Sequence, residues 1–415
     1  MIKLFKENPN FRKFLMFSTF LGIGDGMFSM FMMWVVHYTY QNPVYTGIAG
    51  FMLAAPMVLG FIAGPWVDRW NKAVVLRFTT FLKMGVAAAI LASHLIYYPG
   101  VWLFFAGIFL FRVGTVFSST AYTSLLPRIV DGDDIVKANV ATNITGITGG
   151  LIIGGTMIVL LRNAINGDGG FGPLYIILAG TLAVSMFFAL LLRSPEGRKA
   201  GKSTTKAYFA ELKQGFAFAR KGVMLPLIAA TISMSFFNDV AYVNFPAFAE
   251  LHMGDASGYI ILSMLALTGS LVGSIIVGMV DKKFALWKIL VGGFLLAGAV
   301  RIGFVQTIQH HVVAGILVYV MYIGLGSMIS IFFHVLVQKL PPKGIISRVD
   351  TSIKSLSAVA VALGALAGGF LGRWLGDVNL IFMLQGASYV LIGICLISSK
   401  RIRTLPKIGE IGNSE

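Results

Sequence analysis

Cysteine occurs once, at Cys395, so no intramolecular disulfide, CxxC pair or cysteine-rich metal site can form. Cysteine redox and zinc chemistry are thereby excluded. Charge is scarce as well: Asp, Glu, Lys and Arg make up 12% of the chain against 57% hydrophobic residues, too little to clothe a water-soluble domain. Acidic residues are scarcest, 17 against 33 basic, for a net charge of +16. A basic face on a soluble domain, the footprint of nucleic-acid binding, is not available to such a chain. His37, His94, His252, His310 and His311 lack metal-binding spacing, and HExxH, GxSxG and Walker-type loops are missing. No metal, cofactor, nucleic-acid partner or enzymatic activity is expected.

Long apolar runs are what the chain has. A helix rises about 1.5 Å per residue and the hydrocarbon core of a bilayer is about 30 Å thick, so about 20 apolar residues span it. Twelve such runs are read at 14–40, 46–67, 73–97, 101–126, 136–161, 171–192, 224–249, 258–280, 284–305, 312–337, 350–374 and 378–398. The first is far longer than a signal-peptide core and has no A-x-A-like cleavage site, so it is read as a retained span. The expected fold is all-α and integral to the membrane.

Basic residues sort by loop. Counting the helix turns beside each loop, 27 Lys and Arg flank the N-terminus and the ends of the even spans, while the opposite side holds Arg162 and Arg373. Basic residues are retained on the cytoplasmic side, so both termini are expected there, in a multi-pass protein of the cell membrane. Lys83, Arg112, Arg301 and Lys354 are left inside spans.

The chain divides near its middle. Residues 194–223 form a basic cytoplasmic linker in which Tyr208, Phe209, Leu212 and Phe216 fall at helical spacing, as in an amphipathic helix on the inner leaflet, or else a flexible linker. Residues 1–193 and 224–399 form two six-helix halves, with a cytoplasmic tail at 400–415. The halves echo one another. Asp25 matches Asp239, Leu126-Pro127 matches Leu340-Pro341 and Gly154-Gly155 matches Gly368-Gly369, all at an offset of 214; Gly60 matches Gly273 and Val67-Asp68 matches Val280-Asp281 at 213. A channel has no need of such a repeat with a mid-span acid in each half.

After span 2 the sequence reads Gly64-Pro-Trp-Val-Asp68-Arg69-Trp-Asn71-Lys72. This resembles the G-x-x-x-D-R-x-G-R/K signature of the major facilitator superfamily, with Asn71 in place of the usual Gly and a weaker echo at Asp281. The resemblance implies a cytoplasmic gating role for Gly64, Asp68, Arg69, Lys72 and Asp281. Glycine permits close helix approach, and an Asp at a helix end meets the positive N-terminus of a neighbour. Gly24-Asp25, the stretch from Leu125-Leu126-Pro127 to Ala138-Asn139, and Gln338, Pro341 and Arg348-Val349 make the chain most similar to the macrolide-efflux branch of drug and siderophore exporters. Gly146, Gly149, Gly150, Gly154 and Gly155 in span 5 are similar to the glycine-rich antiporter motif, without its proline.

Ionisable groups at mid-membrane are expensive and mark function by default. Asp25 lies near the middle of span 1, with Asn238-Asp239 its counterpart in span 7 and Arg112 midway down span 4. The resemblance places spans 1, 4, 7 and 10 along a central cavity. Asp25 is read as a proton or cation acceptor coupled to substrate and tuned by Arg112, or else as one member of a static Asp25–Arg112 pair. His334 in span 10 is read either as part of a proton relay or as a hydrogen-bonded structural histidine. Lys83 and Lys354 are taken as structural or snorkelling, and Arg301 is given no role. The expectation is a monomeric, alternating-access secondary transporter whose partners are protons, membrane lipids and a small-molecule substrate. It would export a drug-like or siderophore-like compound by proton antiport; an uptake permease or lipid transporter of the same fold is the alternative.

Overall fold

The structure, a computed structural model, describes residues 2–96, 100–130, 134–135, 137–142, 145–146, 149, 171–192, 214–218, 220, 222–254, 256–279, 285–342 and 345–405. Among these residues it is all-helical, without a β-strand, and ten helices are long and apolar enough to cross a membrane. After a short helix at Ile2–Glu7 come α1 (Pro9–Tyr40), α2 (Pro43–Val58), α3 (Gly60–Arg69), α4 (Lys72–Ile96), α5 (Val101–Ile129) and α6 (Gly172–Leu191). The second half of the chain gives α7 (Met224–Tyr242), α8 (Phe245–Met253), α9 (Ala256–Met279), α10 (Leu286–His310), α11 (Val312–Lys339), α12 (Ile346–Leu375) and α13 (Val378–Ser398). Most of expected span 5, residues 194–213 of the linker, Asp281 and the side chain of Asp68 lie outside the described residues.

Among the described residues, two spans expected as single helices are broken, each near a proline. Pro56 lies inside α2, and the chain closes a tight turn, with the Leu59 amide donating to the Pro56 carbonyl at 2.9 Å, before Gly60 opens α3. In span 7, α7 stops at Tyr242 and Pro246 falls in the first turn of α8. A proline there needs no N–H, whereas inside one continuous helix it would forfeit a backbone bond. The other observed ends fall within a turn or so of those expected.

Two compact units contain these helices. The first comprises Met1–Gln41, Met52–Thr205 and Asp255–Ile261. In it α1 packs on α5 and α6, and α4 packs on the same two helices. Asn8 caps α1 by accepting from the Phe11 amide at 2.9 Å and ties it to α5 by donating to the Ile129 carbonyl at 2.9 Å. Phe11, Phe14 and Phe17 are fully buried with Leu125 and Leu126 in an aromatic-aliphatic core. Arg77 on α4 closes the end of α6, donating to the carbonyls of Ala189, Leu190 and Leu192 at 3.0, 3.1 and 2.9 Å. Carbonyls in the last turn of a helix lack i+4 amides, and of these three Ala189 also accepts from the Leu192 amide at 3.3 Å.

The second unit comprises Asn42–Phe51, Lys206–Gly254 and Leu262–Glu415. Here α10 packs on α11 and α13, and α7 on α12 and α13. Small residues set the closest crossings, as in membrane bundles generally. A Cβ on Gly47 would lie 2.6 Å from the Gly369 Cα, and one on Gly298 would lie 2.5 Å from the Gly386 carbonyl oxygen. Outward faces carry Phe78, Phe81, Met279, Trp374 and Val313, each at least 64% exposed. Water would penalise that surface and lipid does not.

Candidate functional site

Each unit holds one polar centre in its apolar interior. In the first, Lys83 on α4 is fully buried and its Nζ donates to both oxygens of Asp25 on α1, at 2.7 and 3.0 Å, and to Ser118 Oγ on α5 at 3.2 Å. The ammonium also lies 5.4 Å from the Phe111 ring centroid. Two glycines make room for the arrangement. A Cβ on Gly24 would be 2.9 Å from Leu182 Cδ2, and one on Gly114 would be 3.3 Å from Lys83 Cγ. Buried charges survive in low dielectric when they are paired and hydrogen-bonded, and the Lys83–Asp25 contact supplies both. Asp25 keeps 19% of its side-chain surface exposed while Lys83 keeps none. The open side of the pair is therefore the aspartate.

Arg112 does not join this pair. Its Nε donates to the Leu53 carbonyl at 3.0 Å, so the partner that sequence reading gave to Asp25 is replaced by Lys83. Arg112 lies on the same helix as Ser118, and the geometry spends it on the main chain next to the break after Pro56. Lys354, by contrast, is exposed and pairs with Asp350 one turn earlier at 2.7 Å.

In the second unit the repeat carries a different chemistry. Asn238 Oδ1 on α7 accepts from Gln385 Nε2 at 2.7 Å, Tyr389 Oη at 2.9 Å and Tyr322 Oη at 3.3 Å. Gln385 Nε2 also donates to Tyr322 Oη at 2.9 Å, while its Oε1 accepts from Arg301 Nε at 2.7 Å. The Arg301 guanidinium sits 4.5 Å from the Tyr322 ring centroid and 4.6 Å from that of Phe382. Cation–π contacts of this kind are strongest where water is excluded. Asp239, the counterpart of Asp25, is half-buried, and its carboxylate makes no hydrogen bond or ion pair among the described residues. His334 is exposed on α11 and joins neither centre. Sequence reading took Lys83 as structural or snorkelling and missed Ser118, Gln385, Tyr322 and Tyr389; polar residues interrupting apolar runs were the available signal.

At the signature after span 2, Lys72 is buried and its Nζ donates to the carbonyls of Val67 and Trp70 at 2.6 and 3.1 Å, closing the end of α3. Asn71 caps α4, its Oδ1 accepting from the Ala73 amide at 3.0 Å. Arg69 is exposed in the last turn of α3. Close helix approach was expected at Gly64; among the described residues, a Cβ there would meet nothing within 4 Å.

Residues 15–349 match the family model of the Major Facilitator Superfamily. An uncharacterized MFS-type transporter YceJ of Bacillus subtilis (strain 168) is 26% identical over 274 residues, 62% of this chain and 64% of that relative, so the match spans less than two thirds of the relative's length. Among solved structures, the nucleoside transporter NupG superposes with a TM-score of 0.77 at 12% identity, covering 93% of this chain and 98% of that one. A POT family transporter in complex with a thioalcohol-conjugated peptide gives 0.69 at 16% identity over 94% and 96% of the two chains. A D-xylose-proton symporter gives 0.65 at 16% identity over 96% and 98%. Likeness at these identities is one of fold. With a family model that runs through most of the chain and an all-helical, membrane-spanning architecture, the protein belongs to the major facilitator superfamily of transporters.

Proposed function

We propose that this member of the superfamily is a proton-coupled antiporter that exports a drug-like or siderophore-like compound from the cell by alternating access. The observation that carries the reading is the Asp25–Lys83 pair, set about halfway along the 32-residue α1. A proton arriving at Asp25 displaces Lys83 as the carboxylate's partner. Any helix movement that separates the two residues opens the Asp25 carboxylate to a proton in place of Lys83, and a ligand that favours the separated arrangement is then coupled to proton binding. Asp25 is the coupling group in this account and Lys83 its internal competitor. The exporting direction is supported by the efflux-branch motifs, among them Gly24-Asp25 and Leu125-Leu126-Pro127. Both termini are placed in the cytoplasm by the distribution of basic residues. The signature from Gly64 to Lys72, with Asp281, is proposed to gate the cytoplasmic side, and the chain is proposed to work as a monomer.

The test is transport in inverted vesicles under an imposed proton gradient, with a panel of cationic, neutral and anionic compounds. The reading expects gradient-driven uptake into the vesicle lumen of at least one compound class, abolished by a protonophore. Uptake in the opposite orientation would make the protein an importer.

A further inference from the structure

Resting on the transporter reading above, we propose that Arg301 fixes the orientation of two amides so that Asn238 presents its side-chain NH2 group to a ligand, which binds there through an oxygen acceptor, a carboxylate or a carbonyl. A guanidinium has donors and no acceptor. The Gln385 atom 2.7 Å from Arg301 Nε is therefore its oxygen, and Gln385 Nε2 must face the other way. There it donates to Asn238 Oδ1 at 2.7 Å and Tyr322 Oη at 2.9 Å. The same logic turns Asn238. Its oxygen is held inside the cluster by Gln385 and by Tyr389 Oη at 2.9 Å, which leaves Asn238 Nδ2 pointing away from them. That nitrogen has no partner among the described residues, on a residue that is itself half-buried and one position before half-buried Asp239. A donor left open in this way is satisfied by water or by a ligand.

The surroundings of Arg301 support the same class of ligand. Arg301 is 3% exposed, its Nη1 has no hydrogen-bond partner, and no acid pairs with it among the described residues. Ring faces surround it, with Phe304 and Tyr319 centroids 5.2 and 5.9 Å away beside Tyr322 and Phe382. They attract the cation without supplying an acceptor, so it keeps its hold on Gln385. An oxygen acceptor fits the donor that Asn238 presents, and an ammonium, which has only donors, does not. Arg301 and Gln385 act as positioning residues, and Asn238 makes the contact.

The experiment uses the full-length protein in lipid nanodiscs and three probes with one apolar body: phenylbutyrate, phenylbutanamide and phenylbutylamine. Binding is read from ligand-dependent shifts in melting temperature. The parent is expected to bind the carboxylate and the amide about tenfold or more tightly than the amine. Asn238→Asp keeps an oxygen for the three inward donors but offers the ligand an acceptor, so the order inverts in favour of the amine. Arg301→Lys still donates to Gln385 and keeps the parental order. Arg301→Met and Gln385→Glu release Asn238, and discrimination falls to within about threefold. Should these two fail to fold, Asn238→Asp and Arg301→Lys decide alone. No binding of any probe by the parent, a parental preference for the amine, or a parental order in Asn238→Asp overturns the proposal. Absence of gradient-driven transport with the binding order intact would instead remove the proton-coupled antiport reading and leave this site standing.

Discussion

Lys83 Nζ lies 2.7 Å from Asp25 Oδ1, and the lysine is fully buried while the aspartate is 19% exposed. The two are unequal partners. Removing the aspartate strands an ammonium with Ser118 and a ring face, whereas removing the lysine leaves a carboxylate that still touches an exposed surface. Breaking a buried pair from one side costs about 3 to 5 kcal/mol, and replacing both members by neutral groups costs far less. Asp25→Asn is expected to lower the melting temperature in detergent more than Lys83→Met, and the double variant is expected to recover most of the loss. Equal and additive losses in the double-mutant cycle would show that the two charges do not stabilise each other.

Arg77 ties α4 to the end of α6 through three carbonyls, those of Ala189, Leu190 and Leu192. Arg77→Gln is expected to destabilise the first unit by about 1 to 2 kcal/mol, since partial exposure weakens charge-assisted bonds. Hydrogen exchange should report the loss locally, as faster exchange in the last turn of α6. An unchanged exchange pattern there would show that the cap is dispensable.

Gly47 and Gly64 are contrasting glycines a few turns apart. A Cβ at Gly47 would sit 2.6 Å from the Gly369 backbone, while a Cβ at Gly64 would meet nothing within 4 Å among the described residues. Gly47→Ala is expected to destabilise by about 1 to 3 kcal/mol through overpacking. Gly64→Ala is expected to be neutral, or stabilising by up to about 1 kcal/mol, because Ala is the better helix former. Thermal melting of the two variants side by side checks both. A large loss for Gly64→Ala would restore the close-approach reading of the signature.

Much of this was legible from composition and local pattern, for physical reasons. A bilayer fixes helix length, so the twelve runs and the positive loops located most helix ends, and an acid at mid-span announced Asp25 by its cost. What the pattern did not carry is which helix faces meet. Asp25 and Lys83 are separated by 58 positions, and nothing local distinguishes that partner from Arg112, which lies as deep but is used on the Leu53 carbonyl. The second centre stayed hidden for a related reason. Asn238 and Asp239 were singled out together by the repeat, yet the structure commits Asn238 to the network and leaves Asp239 outside it. Gln385 was the missing link, a lone amide in the middle of an apolar helix. The breaks after Pro56 and before Pro246 were legible in principle, since each proline lies inside an apolar run that was read as continuous.

The central claim is that Asp25 carries the coupling proton, and it is tested most directly by comparing two transport modes in proteoliposomes. In the Asp25→Asn/Lys83→Met variant, which removes both charges and so leaves neither stranded, substrate counterflow without a gradient should persist, because exchange requires only the conformational cycle. Accumulation driven by an imposed proton gradient should vanish, because a neutral amide cannot take a proton through the cycle. Gradient-driven accumulation equal to that of the parent, in a variant that still performs counterflow, would contradict the account.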